Sequence, residues 1–298
     1  MTERCGILCI DKPQGFTSFD VVAKLRGIAK TRRVGHAGTL DPMATGVLPV
    51  FFGRATKAAD LLPNQEKRYT ATFRLGLETD TYDVTGRVLR ECPVAASAAE
   101  VRAAAARFRG AFLQLPPMYS AVQVNGRRLY ELARQGLEVE RAPRPVEISR
   151  LEFLACDERT HAYTIDVCCS KGTYIRSLVH DIGQALGCGA ALAALRRTEA
   201  AGFSLERCVT LEEAARRAEE GSFDGLLLPV EAAFAALPRA TLTERQAHLF
   251  QNGARLDLAR VESPPGRVAV YSREGLFLGL ADAADGELRL VKLFALEG

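Results

Sequence analysis

One carboxylate, that of Asp41, lies in a loop rich in glycine and proline. Gly35, Gly38, Pro42 and Gly46 surround it; glycine lets the backbone approach a ligand closely, and proline fixes a turn. Four basic side chains flank the same loop: Arg32, Arg33, Arg54 and Lys57. An acid held rigidly inside a positive rim suits chemistry on a polyanion. The structural alternative is a tight turn in which Asp41 accepts a hydrogen bond from a backbone amide.

Other common catalytic arrangements are absent from this sequence. The four histidines are never three or four residues apart, and no HExxH, GxSxG, P-loop or helix-opening GxGxxG motif occurs. The eight cysteines form no CxxC pair, which favours reduced thiols in the core of a cytoplasmic protein over a metal site. We therefore expect no metal and no cofactor, and chemistry carried by a carboxylate, aromatic rings and arginines.

The hydrophobic pattern predicts the elements that position Asp41. Residues 6–10 and 47–52 are apolar runs typical of buried strands, whereas 69–75 and 161–169 alternate as half-buried strands do. Thr17 with Asp20 predicts a capped helix after the first strand. A later helix is indicated by the apolar face of Ile175, Leu178, Val179, Ile182 and Leu186. Tyr174 and Arg176 lie in its first turn, and strand-to-helix junctions of this kind collect functional side chains.

Strands interrupted by helices indicate an α+β fold with a mixed, mostly antiparallel sheet. At 298 residues the chain has room for one large domain and a small one, or for two domains. Strand-like runs at 268–271, 276–281 and 288–294 predict a small β-rich C-terminal domain, which we place after an alanine-rich linker over 231–240. No apolar run is long enough to span a membrane, and no coiled coil indicates an obligate oligomer, so we expect a monomer.

A basic segment, PPMYSAVQVNGRRLYELARQG, precedes the second half of the chain. It predicts a strand over 119–124, a turn at Asn125-Gly126, and a basic helix that includes Arg127, Arg128 and Arg134. Basic side chains interleaved with tyrosines suit a flap over a nucleic-acid backbone, and a solvated helix face explains them equally well. The net charge is only +3, so affinity for a polyanion would have to come from such local clusters.

Several long motifs together resemble one family of RNA-modifying enzymes. The chain contains, in order, DKPQGFTS, GHAGTLDPMATGVLPVFFGRATK, KRYTATFRLG, the basic segment, CSKGTYIRSLVHDIG and LRRTEAAGF. This series resembles the bacterial tRNA pseudouridine synthases that modify the uridine of the TΨC loop, the TruB family, over nearly all of the first 205 residues.

The resemblance implies a pseudouridine synthase fold, in which helices flank a mixed, mostly antiparallel central sheet. It implies a catalytic domain at 1–238 with an RNA-gripping insertion at about 110–150. The remaining residues, 239–298, resemble more loosely a PUA-like RNA-binding domain.

The resemblance also implies an isomerase that needs no cofactor. In the family, the N1–C1′ bond of a uridine in RNA breaks, the uracil turns over and a C5–C1′ bond forms, with no atom gained or lost. Asp41 matches the catalytic aspartate, Arg176 its cationic partner, and Tyr69 the aromatic that stacks on the uracil or relays the C5 proton. An ionised carboxylate in a dry pocket needs a fixed cation, and arginine can fork onto it with paired hydrogen bonds.

Further residues match positions that contact the substrate. His36 matches a residue that occupies space near the nucleotides displaced when the target base is flipped out. Tyr174 and Leu195 match positions lining the uracil pocket, although Leu195 alone is typical of a core residue. Lys12 is expected to support the pocket or a phosphate. The implied partner is the TΨC stem-loop of tRNA, and the implied substrate-binding set is His36, Tyr174, Leu195, Lys12, Arg127 and Arg128.

Two other functions remain open from the sequence. A related synthase acting on another RNA, such as an RNA-guided relative, is expected to carry extra terminal segments for partner proteins. An RNA-binding or RNA-folding protein that has lost catalysis is expected to lack the acid or its arginine, whereas Asp41 and Arg176 are both present.

Overall fold

The computed structural model describes residues 4–294 and is built around a large mixed β-sheet. Within these residues the strands are β1 (Gly6–Lys12), β2 (Val34–His36), β3 (Thr45–Phe52), β4 (Lys67–Leu75), β5 (Leu77–Thr79), β6 (Val88–Glu91), β7 (Gly110–Gln114), β8 (Gln123–Val124), β9 (Arg127–Arg128), β10 (Arg144–Asp157), β11 (Ala162–Cys169), β12 (Ala190–Ala200), β13 (Phe203–Ser204), β14 (Cys208–Val209), β15 (Arg239–Leu242), β16 (Leu256–Asp257), β17 (Gly266–Ser272), β18 (Phe277–Ala284) and β19 (Glu287–Leu293).

The helices of the same residues pack on this sheet and on a second, smaller one. The α-helices are α1 (Ser18–Ile28), α2 (Ala98–Ala106), α3 (Leu129–Arg134), α4 (Ile175–Ala185), α5 (Leu211–Glu219) and α6 (Glu244–Gln251). Short 3₁₀ helices lie at Gly53–Ala58, Leu205–Arg207, Phe223–Leu226, Val230–Phe234 and Leu258–Arg260.

The central sheet joins strands that are far apart in the chain. Its order is β14-β1-β3-β12-β4-β11-β10-β7, with β13 beside β12 and β2 beside β3. Among its described pairs, β1–β14 and β3–β12 are parallel, and the others are antiparallel. The predicted α+β fold with a mixed, mostly antiparallel sheet flanked by helices is confirmed.

Alternation along β4 explains how the sheet carries both a core and a cavity. Tyr69, Phe73 and Leu75 point to one face and are at most 5% exposed. They join the buried face of α4 in one hydrophobic cluster, and each buried side chain of this size contributes about 1.5–3 kcal/mol. On the other face, Thr72 is bonded to Thr164 across the strands. The period-2 pattern predicted from residues 69–75 therefore fixes which side chains reach α4.

Two long strands, β10 and β12, are not predicted by the sequence pattern. Strand β12 reads AALAALRRTEA, which is rich in alanine and leucine, residues that prefer helices. It nevertheless lies in the centre of the sheet, parallel to β3 and antiparallel to β4. Here tertiary pairing overrides local propensity.

The predicted basic helix is wrong at Arg127 and Arg128, which lie on β9. Asn125 and Gly126 have φ values of 52° and 77°, the conformation of a two-residue hairpin turn. The turn pairs Val124 with Arg127, so α3 begins only at Leu129. The strand predicted over 119–124 is likewise reduced to Gln123–Val124. Both ends of the predicted insertion, in β7 and β10, belong to the central sheet.

The second sheet has the order β15-β17-β18-β19-β16, which confirms a small β-rich C-terminal domain. The segment predicted as a linker is packed instead. Phe234 in the last turn before this domain is fully buried and stacks on Phe277 with ring centroids 6.0 Å apart. The same cluster includes Phe51 of β3, so the apolar core is continuous between the two sheets.

All eight cysteines are free thiols. Cys9, Cys169 and Cys188 are buried, as predicted for core thiols, whereas Cys5 is exposed. Between residues 4 and 294, no helix has both the length and the apolar character needed to cross a membrane.

Candidate active site

The Asp41 loop connects β2 to β3 and is fastened to the first motif of the chain. Ser18, at the start of α1, accepts a hydrogen bond at Oγ from the amide of Leu40 at 2.8 Å. The amide of Gly15 donates to the carbonyl of Pro42, also at 2.8 Å. The backbone on either side of Asp41 is therefore held by hydrogen bonds, one to a side chain and one to another backbone group, which limits the motion of the loop.

Arg176 forks onto Asp41. Its Nε lies 2.8 Å from one carboxylate oxygen, and its Nη2 donates to the other at 3.1 Å. The arginine side chain is 5% exposed and that of the aspartate 35%. One charge-assisted hydrogen bond and one close ion-pair contact hold the charge and the orientation of the carboxylate, and the partial exposure leaves it accessible to a substrate.

Two backbone carbonyls and a second carboxylate position the guanidinium of Arg176. Nη1 donates to the carbonyl of Thr81 at 3.0 Å, and Nη2 to that of Tyr119 at 2.7 Å. The buried carboxylate of Asp83 lies 3.8 Å from Nη1 and accepts hydrogen bonds from Thr85. Asp83 is not among the predicted site residues. In the sequence, only the cluster of turn-forming residues in TDTYDVTG draws attention to it.

Asp41 and Arg176 open onto a cavity of about 210 Å³. This is smaller than the roughly 300–1,000 Å³ typical of small-molecule pockets, so it suits one nucleoside rather than a length of RNA. It brings together five of the predicted site residues. Its lining consists of Thr39, Leu40, Asp41, Lys67, Tyr69, Ser120, Ala121, Gly172, Thr173, Tyr174, Ile175, Arg176 and Leu195.

Tyr69 lines the cavity and is 5% exposed. Burial raises the pKa of its phenol to about 12, against a smaller opposing effect of the nearby Arg197. The phenol is therefore protonated at neutral pH, so it can stack on a ring or donate a hydrogen bond. Its buried position on β4 makes the ring a fixed wall.

Arg197, which the sequence analysis did not single out, ties β12 to the Asp41 loop. It is fully buried and donates from Nε to the carbonyl of Val47 at 2.7 Å and from Nη2 to that of Gly38 at 2.9 Å. The strands approach so closely that a Cβ on Gly46 would lie 2.1 Å from the Arg197 carbonyl oxygen. Glycine is required at 46, and this contact brings Leu195 of β12 to the cavity wall.

Tyr174 is positioned through its backbone. Its amide donates to Gln114 Oε1 at 2.8 Å, and its carbonyl accepts from Gln114 Nε2 at 3.1 Å. Gln114 is the last residue of β7 and is 1% exposed. Its two hydrogen bonds therefore fix the backbone of Tyr174, the residue that precedes α4. Burial raises the pKa of the Tyr174 phenol, which keeps it protonated.

Lys12 and His36 are not among the residues that line the cavity. Lys12 is fully buried, and its ammonium donates to the carbonyls of Pro13 and Phe16 at 2.8 and 2.6 Å; burial lowers its pKa to about 8. This location supports the loop beside Asp41. His36 lies on β2, where burial lowers its pKa and Nδ1 has no hydrogen-bond partner among the described residues.

Arg127 and Arg128 are exposed on β9, away from the cavity lining. Arg128 and Arg134 lie over the ring of Tyr130, 5.9 and 5.4 Å from its centroid. A solvent-facing aromatic between two guanidinium groups is a suitable surface for nucleic acid. Among residues 4–294, no group of three or more histidine, cysteine or acidic side chains is arranged to hold a metal ion.

Comparison with known families relates the whole chain to pseudouridine synthases. Residues 26–175 match the model described as TruB family pseudouridylate synthase (N terminal domain). Residues 176–235 match the tRNA pseudouridylate synthase B C-terminal domain, and residues 238–293 match pseudouridine synthase II TruB, C-terminal.

Curated relatives are similar over nearly their full length. The tRNA pseudouridine synthase B of Stutzerimonas stutzeri (strain A1501) is 44% identical over 284 residues, covering 94% of this chain and 92% of the relative. The protein of the same name from Ralstonia nicotianae (strain ATCC BAA-1114 / GMI1000) is 45% identical over 294 residues, covering 97% and 93%.

Solved structures share the fold. A chain of a Cbf5-Nop10-Gar1 complex superposes with a TM-score of 0.77 at 26% identity, covering 98% of this chain and 85% of that chain. A chain of an H/ACA RNP bound to a substrate RNA containing 2'-deoxyuridine superposes with a TM-score of 0.75 at 25% identity, with coverage of 98% and 85%.

Proposed function

This chain belongs to the TruB family of pseudouridylate synthases, and we propose that its substrate is the uridine in the TΨC stem-loop of tRNA. It is an enzyme that isomerises uridine to pseudouridine in tRNA. The observation that carries the finer proposal is the carboxylate of Asp41, forked by Arg176 at the edge of a cavity sized for one nucleoside.

Asp41 is the catalytic group in this proposal. A carboxylate there can attack C1′, add to the uracil ring or take a proton from the sugar, and all three routes require it to be ionised. A hydrogen bond from Nη2 of Arg176 and the ion-pair contact of its Nε stabilise that form. The N1–C1′ bond breaks, a C5–C1′ bond forms, C5 gives its proton to solvent and N1 takes up a proton, so the reaction balances without a cofactor or a metal.

The cavity walls orient the base. Tyr69 stacks on the uracil, and its protonated phenol donates a hydrogen bond rather than acting as a base, because burial raises its pKa to about 12. Leu195 and Tyr174 complete the pocket. The target base must leave its stack to enter a cavity of this size, and His36, near the Asp41 loop on β2, fills the space it leaves.

Release of tritium from uridine C5 tests this function. Purified protein incubated with an unmodified tRNA transcript tritiated at C5 is expected to release tritium, with the same rate in EDTA. A matched transcript carrying an unrelated stem-loop is expected to release none. Loss of activity on chelation, restored by one metal, would contradict the cofactor-free proposal; tRNA binding without release would favour a non-catalytic RNA-folding protein.

The RNA partner, the cellular location and the oligomeric state that we expect follow from the same proposal. We expect the protein to act as a cytoplasmic monomer on tRNA, with the C-terminal domain as a PUA-like RNA-binding unit from about residue 239. The molar mass from light scattering is expected to match the 32.4 kDa chain. A stable dimer at enzyme concentrations used in the assay would contradict the monomer.

Reversing Arg127 and Arg128 to glutamate is expected to weaken tRNA binding and flatten its salt dependence. Each phosphate that the protein neutralises releases counterions, so log affinity falls about linearly with log salt, with a slope set by the number of contacts. The apparent KM is expected to rise roughly tenfold or more at physiological salt, with the maximal rate nearly unchanged. Titration of labelled tRNA at several salt concentrations measures both.

The control for this double variant is reversal of Arg107 and Arg109, two exposed arginines that follow α2. It changes net charge equally but lies outside the β8–β9 hairpin. Equal slopes for the hairpin variant and the parent would mean that the hairpin does not touch RNA. Equal flattening in both variants would mean that net charge, rather than local contact, sets the slope.

A further inference from the structure

Lys67 is a cation in the cavity that the reaction described above does not use. It is the first residue of β4 and lies two positions before Tyr69, so both side chains point to the same face of the sheet. Both line the cavity that holds Asp41. The sequence motif KRYTATFRLG contains Lys67, but nothing in its pattern indicates where the ammonium group lies.

The ammonium group of Lys67 has cations as neighbours. Its Nζ lies 3.5 Å from the position that a Cβ on Gly38 would occupy, and Nη1 of Arg197 lies 3.4 Å from the same point. Burial and the Arg197 charge lower the pKa of Lys67, and Lys171 adds to this effect. Asp41, the carboxylate of the cavity, is already forked by Arg176.

No hydrogen-bond acceptor or carboxylate within residues 4–294 is bonded to the Lys67 ammonium, while Arg197 beside it is satisfied by backbone carbonyls. A half-buried ammonium next to a second cation is unfavourable unless an anion joins it. The charges of Lys67 and Arg197 therefore make this side of the cavity positive, and such a site favours an anionic ligand.

Lys67 lies between the cavity and an open groove. The residues just before it, 63–66, which include the carboxylate of Glu66, line this groove together with Ser170, Lys171 and Ala236. Gly172 and Thr173, which follow Lys171, line the cavity itself. Lys67 is thus the residue of β4 that connects the groove to the cavity, and its ammonium is within reach of a nucleic-acid backbone that lies in the groove and delivers one base to Tyr69.

We propose that the Lys67 ammonium binds a phosphate oxygen of a phosphodiester that flanks the flipped uridine. The inference rests on the proposed function and assigns a substrate contact to that site. A phosphate fits better than a uracil oxygen, because Lys67 borders the groove and Lys171 lies close enough to add positive charge there. The contact holds the flipped nucleotide by its backbone while Tyr69 and Leu195 hold its base.

The test combines a protein variant with a modified substrate. Lys67→Met keeps the length of the side chain and removes its charge, and Lys67→Arg keeps the charge. A methylphosphonate at the phosphate on the 5′ or the 3′ side of the target uridine removes one charge from the RNA. Initial rates of tritium release give KM and kcat for each enzyme on each RNA, and thermal unfolding confirms that the variants fold.

We expect Lys67→Met to raise KM about tenfold to a hundredfold, the range of a charge-assisted hydrogen bond, with kcat changed less than threefold. Lys67→Arg is expected to recover most of this loss. One of the two methylphosphonates is expected to raise KM for the parent by a similar factor and to add nothing for Lys67→Met.

Three results would overturn the inference while leaving the proposed function intact. One is an unchanged KM for Lys67→Met. Another is a parent enzyme that accepts both methylphosphonates without loss, which can be measured even if the variant does not fold. The third is a fall in kcat for Lys67→Met together with a methylphosphonate effect that is as large in this variant as in the parent. This result would place Lys67 against the uracil. Absence of tritium release from the parent on unmodified RNA would instead reject the proposed function.

Discussion

Asp41→Asn is expected to abolish turnover while tRNA binding is kept. The substitution removes the negative charge and changes almost no volume, so the loop fastened by Ser18 and Gly15 should keep its shape. Removing a catalytic nucleophile or base commonly costs roughly 10⁴-fold or more in rate, which corresponds to a barrier increase of about 5.5 kcal/mol. Binding is expected to stay the same or tighten, because the carboxylate repels phosphate.

Two measurements on one preparation decide this prediction. Single-turnover tritium release gives the rate, and titration of labelled tRNA gives the affinity. The melting temperature reports on the fold, and we expect a small change because Arg176 keeps its carbonyl acceptors at Thr81 and Tyr119. A rate within about tenfold of the parent, a barrier change of only about 1.4 kcal/mol, would remove Asp41 from the chemistry.

Local patterns are sufficient to predict the elements that carry the site. The apolar run at 47–52, the alternation at 69–75 and the apolar face that begins at Ile175 correspond to β3, β4 and α4. Each signal lies within about a dozen neighbouring residues, so a single sequence contains it. The fold class follows from the succession of these elements, and it is confirmed.

Contacts between distant residues escape the sequence pattern. Arg176 bonds to residues 135, 95 and 57 positions away, and Arg197 reaches Val47 across 150. A buried arginine and a surface arginine look alike in sequence, so nothing marks Arg197, and Asp83 is likewise indistinguishable from an ordinary turn residue. Arg127 and Arg128 illustrate the converse: the Asn125-Gly126 turn is evident in the sequence, but the residues after it look helical, whereas the structure pairs them with β8 as the second strand of a hairpin.

Arg176→Lys is expected to slow turnover at least a hundredfold although the positive charge is kept. The arginine reaches both oxygens of Asp41 and the carbonyls of Thr81 and Tyr119 at once. A lysine ammonium is a single point donor on a flexible stem and cannot reproduce the planar fork. It would leave buried acceptors unpaired, at about 1–3 kcal/mol each, and would let the Asp41 carboxylate rotate. A hundredfold loss corresponds to about 2.7 kcal/mol in the barrier.

Arg90→Lys supplies the matched control, because Arg90 forks onto Glu78 at 2.8 and 3.3 Å on the β5–β6 hairpin, away from the cavity lining. The Arg90 side chain is about half exposed, so loss of this pair should change stability little and leave the rate unaltered. The saturating rate of tritium release separates the two variants, and melting temperatures account for any loss of folded protein. If Arg176→Lys turns over as fast as the parent, a positive field suffices and the fork has no catalytic role. If Arg90→Lys slows turnover as much as Arg176→Lys does, the effect comes from loss of a fork anywhere in the domain, and the orientation of Asp41 by Arg176 is not what limits the reaction.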